Sequence, residues 1–348
     1  MTADSKHPPV LDESDYSITV VVVAFNRRHF LLEAVRSVLS QTLPRSEFEV
    51  LVIKNFLDQK IDQYLADRGV RSILFGSVVY GETIARALKE CGGRIIMFLE
   101  DDDLFESAKL ATVQNAFAKS EDRLVLYHDD YIIVNEWGIP IPPSPLREWA
   151  DRRFRSRGRV ILRERNKQED LPLAAGLNAE AHLSCIAVRR DLLIPVRSYL
   201  EQVPVGVDFF VFYAALSCDG AILVEPRKLT RYRRHPDNSS RDTVWNEARF
   251  EGFVEGSRTM ARVTRDMVRS MASPWLLQTL EEHLRMHELF IAFARDGANR
   301  RALASRLIDA LRHRESFAWR SERSLAILTP IYLVHPRLAR RILQRIRG

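Results

Sequence analysis

Ile95-Ile96-Met97-Phe98-Leu99 runs without a break into Glu100-Asp101-Asp102-Asp103. Five apolar residues with no polar alternation predict a strand buried on both faces, as inside a parallel sheet. Gly92-Gly93 precedes it and closes a helical pattern over 82–91. The alternation continues upstream: strand signals at 18–24, 49–53 and 71–75 are separated by helical patterns at 30–39 and 61–66. This order predicts an α/β chain with a parallel, doubly wound, Rossmann-like sheet, which takes its ligand in the crevice beyond the C-terminal strand ends. The four acids stand at such an end.

Adjacent carboxylates in a partly desolvated crevice repel one another. A divalent cation relieves that cost, and Mg²⁺ or Mn²⁺ commonly takes one or two carboxylates together with substrate phosphates. Alternation along an extended backbone predicts Glu100 and Asp102 on one side, with Asp101 and Asp103 on the other. The competing reading is a helix start, with Asp103 capping a helix through Ala108 and Leu110.

Downstream the pattern loosens. Strand-like apolar residues at 124–134 surround His128-Asp129-Asp130, and Asp129-Asp130 reads as solvated loop charge in preference to a second acidic patch. Pro140, Pro142, Pro143 and Pro145 mark a long loop, followed by a basic stretch over 147–165. A helix at 208–216 and a strand at 221–224 come next, and from about 244 only helical patterns remain, at 254–271, 275–294 and 302–311. The expected organisation is a flexible segment 1–16, a nucleotide-binding domain 17–243 and a helical region 244–348.

Of the 348 residues 46% are apolar, enough for a sizeable core, and the net charge of +6 suits anionic partners without choosing among them. Arginine-rich stretches come with no nucleic-acid-binding motif, so no nucleic acid partner is expected. Cys91, Cys185 and Cys218 are odd in number and scattered, which predicts neither a disulfide framework nor a zinc site and suits a reduced, cytoplasmic setting. No secretory signal or membrane-spanning run is read. Leu338, Ile342 and Ile346, four apart among Arg337, Arg340, Arg341, Arg345 and Arg347, describe a basic amphipathic helix that suits either an anionic membrane surface or a core-facing end.

Val21-Val22-Val23-Ala24-Phe25-Asn26-Arg27, then Ala34-Val35-Arg36-Ser37-Val38 and Gln41-Thr42, resembles the opening of the family-2-type glycosyltransferases. Glu49-Val50-Leu51-Val52-Ile53 is similar to their second strand, and Gly93 through Asp103 to the segment leading into their D-x-D motif. Tyr232-Arg233-Arg234-His235-Pro236-Asp237-Asn238-Ser239-Ser240 resembles a segment found further downstream in them. The resemblance covers roughly 17–245 and implies the GT-A nucleotide-binding fold. It implies an inverting transfer of a hexosyl-type sugar from a nucleoside-diphosphate sugar to an acceptor hydroxyl. It further implies Asp208 as catalytic base, Mn²⁺ or Mg²⁺ at Asp102, Asp103 and His235, and donor contacts from Ala24, Asn26, Arg27, Asn55, Arg86, Glu100 and Asp101. Lys54-Asn55-Phe56 stands where the family often carries acids that contact the base. Glycan, lipid-linked and protein acceptors stay open, as does the oligomeric state.

Two other functions compete with this reading. A nucleotidyltransferase would carry a glycine-rich loop after its first strand, where Ala24-Phe25-Asn26-Arg27-Arg28 has no glycine. A non-catalytic nucleotide- or carbohydrate-binding protein would have no use for Asp208 together with the acidic cluster.

Overall fold

The first strand, β1 (Ile18–Ala24), is buried along its whole length, as a run of β-branched residues between two helical layers must be. The computed structural model describes residues 17–120, 123–143, 158–174, 177–236, 238 and 247–294, with single residues 301, 304, 305, 308, 330, 331, 335, 338 and 339. β2 (Phe48–Lys54) and β4 (Ile95–Glu100) flank β1 in parallel, and β3 (Arg71–Leu74) pairs with β2. Ala24 lies opposite Lys54, and Val23 opposite Glu100, so the C-terminal ends of β1, β2 and β4 finish together. The acidic run therefore emerges beside Phe25-Asn26-Arg27.

Beyond β4 the sheet departs from the wholly parallel expectation. β5 (Leu104–Phe105), β6 (Leu124–Val134), β7 (Val160–Leu162), β8 (Ile186–Arg189) and β9 (Ala221–Arg233) complete it, in the order β3-β2-β1-β4-β8-β6-β9-β5 with β7 also on β9. β8 runs antiparallel to both β4 and β6 and makes the sheet mixed. Its four residues, Ile186-Ala187-Val188-Arg189, are too few to declare a strand by pattern alone. β9 continues nine residues past the expected end at Val224, through Pro226, and so delivers Arg233 and His235 to the end of β4.

The helices α1 (Leu31–Leu39), α2 (Gln59–Ala66) and α4 (Lys109–Lys119) cover one face of the sheet. The other face packs on α3 (Tyr80–Leu88), α5 (Lys167–Ala174), the short α6 (Arg190–Leu193) and α7 (Arg197–Leu200), and α8 (Val207–Ser217). Alternate residues of β1 divide between the faces: Val20 and Val22 enter the first core, Val21 and Val23 the second. α9 (Glu247–Ser270) and α10 (Pro274–Ala294) add Met260, Val263, Met267, Leu276 and Leu280 to that second core. The boundary drawn near 244 thus divides the chain by element type, while the two long helices share a core with α8. Ala302–Leu311 and the stripe at Leu338, Ile342 and Ile346 lie, apart from single residues, outside the described residues, and no described helix is long and apolar enough to cross a membrane.

Gly93 allows a close backbone approach to β1. A Cβ there would sit 2.3 Å from the amide nitrogen of Thr19 and 2.5 Å from the carbonyl carbon of Ile18. The Gly93 amide also donates to Thr19 Oγ1 at 2.8 Å, and Thr19 in turn donates to the buried Glu49 at 2.6 Å. Gly93→Ala is therefore expected to lower stability by about 3 kcal/mol, the upper range for overpacking, because the obstacle is backbone. Urea unfolding checks this, and an unchanged midpoint would refute the close approach.

Candidate active site

Asn26 turns the chain at the end of β1 with a φ of 59°. Asparagine tolerates that left-handed conformation better than most residues. The turn is clamped by a reciprocal amide pair: Asn26 N–H donates to Asn55 Oδ1 at 2.7 Å, and Asn55 Nδ2 donates to Asn26 Oδ1 at 2.8 Å. Asn55 N–H also reaches the carbonyl of Ala24 at 3.3 Å. This clamp aims Arg27 back across the end of β4. Its guanidinium lies 2.6 Å from Asp101 Oδ1 and 2.6 Å from Asp102 Oδ2, bridging two neighbouring carboxylates.

The acids are arranged more tightly than strand alternation predicts. Among the described residues, Glu100, Asp102 and Asp103 each place an oxygen within 4.8 Å of the other two. Glu100 and Asp102 share a side as expected. Asp103 joins them because the backbone leaves the strand at Glu100 and turns. Asp101 is the one set aside, held by Arg27. Asp103 caps no helix, since α4 begins only at Lys109; instead it accepts the Arg233 N–H at 3.0 Å.

Asp102 Oδ2 receives three donors: Arg27, His235 Nε2 at 3.0 Å and Asn238 Nδ2 at 3.3 Å. A carboxylate only accepts, so His235 Nε2 carries its proton toward Asp102. His235, expected as a metal ligand, thus stands against Asp102 and outside the set of three oxygens, where it orients the Asp102 carboxylate. Arg233 is fully buried and ties the site together. It donates to the Asp102 carbonyl at 2.8 Å, to Glu33 at 2.6 Å and to the Glu136 carbonyl, and it lies over the Phe30 ring. Ser184 Oγ accepts the Glu100 N–H at 3.1 Å.

Burial first, then Asp102 and Asp103, push the Glu100 carboxyl well up. Burial and Asp102 push Asp103 up to about 8. Burial also lifts Asp101 to about 7, with Arg27 pulling the other way. Asp102 is buried too, but the His235 hydrogen bond and the Arg27 charge outweigh that cost and hold it below the usual range.

Asp208 stands in the first turn of α8, which starts at Val207 after Gly206 in a left-handed conformation; it is the second helical residue and not the cap. Its Oδ2 accepts the His182 N–H at 2.9 Å and its Oδ1 accepts its neighbour Phe209 N–H at 3.0 Å. His182 pays for that aim with a φ of 64°. Burial raises the Asp208 pKa, with the two amides opposing. The carboxylate is close enough to the acidic cluster to add to the upward shift of Glu100. Tyr80 joins the two regions, its Oη 3.5 Å from Glu100 Oε1.

Several residues near the site serve other contacts. Arg86 does not reach the cluster: α3 brings Tyr80 to it, and Arg86, six residues on and roughly 9 Å further along the axis, pairs with Glu90 at 2.6 Å. Asp129 and Asp130 are buried in β6 and are not solvated loop charge; Asp129 pairs with the buried Lys109 at 3.0 Å. Lys54 and Asp58, next to Asn55, serve the fold: Lys54 pairs with Asp62 at 2.8 Å, and Asp58 caps α2. Sequence reading assigned no role to Ser184, Arg233 or Asn238. The last two lie within the quoted 232–240 segment, where a buried arginine was signalled by nothing local, and Ser184 sits in a patternless turn before β8.

The glycosyl transferase family 2 model matches residues 19–191, about half of the chain and every strand from β1 to β8. The chain belongs to glycosyl transferase family 2. The family implied by the resemblance is thereby borne out, as is the GT-A-type α/β fold. An uncharacterized glycosyltransferase of Rickettsia conorii is 33% identical over 129 residues, which is 36% of this chain and 21% of that protein. One of Rickettsia felis is 31% identical over 128 residues, again 36% and 21%. This family 2 chain thus spans about a fifth of the length of the curated relatives it matches. Residues 1–349 of S. aureus TarS, solved with UDP, share its fold with a TM-score of 0.53 and 15% identity over 89% of this chain and 90% of that one. The same TarS fragment with UDP-GlcNAc gives 0.50 at 15% identity over the same shares. Asp208, Arg233 and His235 lie beyond the matched residues, and the fold alone joins them to the family segment.

Proposed function

We propose that this chain transfers a sugar from a nucleoside-diphosphate sugar to an acceptor hydroxyl, inverting the anomeric carbon, with Mn²⁺ or Mg²⁺ held by Glu100, Asp102 and Asp103. The observation that carries this reading is the convergence of three carboxylate oxygens within 4.8 Å at the crevice end of β4, in electrostatic reach of the half-buried Asp208. The donor set fits a hard divalent cation: it is all oxygen, and two of its three carboxyls are driven toward the protonated form by burial first and then by mutual repulsion. When bound, the cation supplies charge neutralisation for the departing nucleoside diphosphate.

The protein residues supply the rest. Asp208, fixed by two backbone amides, keeps a lone pair on each oxygen for the acceptor proton. Its raised pKa brings it nearer the working pH of a general base. Direct displacement by the hydroxyl, with proton transfer to Asp208, breaks the sugar–phosphate bond and leaves the anomeric configuration inverted. Arg27, Asn26, Asn55 and Ala24 line the end of β1 and β2 and are assigned to the donor. TarS, of the same fold, is solved with UDP and UDP-GlcNAc, which supports UDP-linked sugars as the first donors to try. The test is transfer from a panel of UDP-sugars with and without Mn²⁺, with the product's anomeric configuration read by NMR. A retained configuration would overturn the mechanism, and equal rates in chelator would overturn the metal.

The same carboxyls set a pH dependence. Asp103 is raised from an ordinary 3.8 to about 8, so between those values the folded state holds a proton that the unfolded state has released. The cluster's contribution to stability without a cation therefore falls as pH rises through that window. Cation binding needs the deprotonated carboxylates and strengthens in the same direction. The rise in Tm on adding Mn²⁺ with UDP is expected to be larger at about pH 8.5 than at about pH 6. A rise that shrinks with pH would contradict the assignment.

A further inference from the structure

We propose that Arg27 is a built-in stand-in cation: it occupies Asp102 until a metal ion arrives together with a nucleoside diphosphate, so that the two bind as one unit and the metal alone binds poorly. This rests on the metal-dependent reading above. Three features of the geometry support it. Arg27 lies 2.6 Å from Asp102 Oδ2, an oxygen that also receives His235 and Asn238, so an incoming cation meets a carboxylate oxygen already carrying three donors. The Arg27 side chain is 20% exposed, whereas Asp101 is fully buried, so the guanidinium can swing outward while its partner cannot follow. The two contacts are also separable. One nitrogen holds Asp101 at 2.6 Å and the other Asp102, so release from Asp102 leaves Arg27 anchored through Asp101.

The energetics run the same way. A lone Mn²⁺ must displace a charge-assisted pair and take one carboxylate partner from a guanidinium in a largely buried site. A diphosphate removes that penalty, because its oxygens match the guanidinium fork as well as a carboxylate does. The metal then takes the carboxylate and Arg27 takes the phosphate, and each ligand raises the affinity of the other by the same factor.

The experiment is a Mn²⁺ titration of the full chain followed by the EPR signal of free Mn²⁺, with and without UDP, comparing wild type with Arg27→Gln. Without UDP the variant is expected to bind Mn²⁺ roughly tenfold tighter, the scale of one charge-assisted hydrogen bond. UDP should then enhance Mn²⁺ binding less in the variant than in wild type. Arg28→Gln controls for charge: Arg28 pairs with Asp58 at 3.8 Å, so it makes the same charge change on the same loop away from Asp102. Equal Mn²⁺ affinity in wild type and Arg27→Gln overturns the proposal, as does equal tightening in Arg28→Gln. Should Arg27→Gln lose its fold by circular dichroism, Arg27→Met decides. Its side chain is of similar length but carries no charge and donates no hydrogen bond, so tighter Mn²⁺ binding than wild type supports the proposal and unchanged binding overturns it. If UDP binds equally well with and without Mn²⁺ in every variant, the metal reading itself fails, and that result is distinct from failure of the Arg27 role alone.

Discussion

Asp208→Asn is expected to lower sugar transfer by roughly two to four orders of magnitude, the range for loss of a general base, while nucleotide binding in Mn²⁺ stays at the wild-type level. The amide cannot take the acceptor proton at neutral pH. Only part of its structural role is lost: an asparagine oxygen still accepts one of the two N–H groups that Asp208 takes from His182 and Phe209. The missing hydrogen bond costs about 1 kcal/mol, a small shift in Tm. A large fall in Tm with proportionate loss of transfer would instead make Asp208 a structural fixture of the first turn of α8. In the wild-type enzyme, burial raises the Asp208 pKa above its ordinary 3.8, so the acid limb of kcat/KM should lie above that value. Transfer that persists in the variant with an unchanged pH profile would send the search for the base elsewhere. The buried Asp129 is a poor substitute, since Lys109 already holds it.

Asp102→Asn is expected to remove the Mn²⁺-dependent part of UDP affinity. The loss should be at least the roughly 10–100-fold that follows removal of even an outer-shell partner of a metal. Asp102 is the hub of the cluster, because it offers an oxygen to the set of three while holding Arg27, His235 and Asn238. Asparagine keeps the volume, and Arg27 keeps Asp101, so the fold should persist. Isothermal titration with UDP, in Mn²⁺ and in chelator, reads the effect. A variant that still gains affinity from Mn²⁺ would shift the metal to Glu100 and Asp103 alone.

β1 and β4 were legible in the sequence because each is an uninterrupted apolar run ending in polar residues. The acidic cluster was legible as a site because four like charges at the end of a buried strand require compensation. Which acids face inward was not legible. Alternation holds only while the backbone is extended, and the turn after Glu100 rotates Asp103 onto the side of Asp102. The distance of Arg86 from the acidic cluster was not legible for a related reason: motif spacing gives distance along the chain, whereas the direction of α3 decides which end of the helix meets the cluster.

The family resemblance named Asp208 as the candidate base; the sequence pattern by itself determined the layered α/β architecture and the position of the acidic run at a strand end. These follow from local rules of periodicity, burial and capping that short segments carry on their own. The tertiary structure alone decided the rest. It inserted β8 antiparallel between β4 and β6, carried β9 through to Arg233, and brought Asn238, His235 and Arg27 onto one oxygen of Asp102 across as many as 136 residues of chain. A four-residue strand has too little pattern to announce itself, and the burial of an arginine depends on acceptors supplied by distant segments. Such choices are made by packing and charge pairing among elements that have already formed, and no local stretch of the sequence contains them.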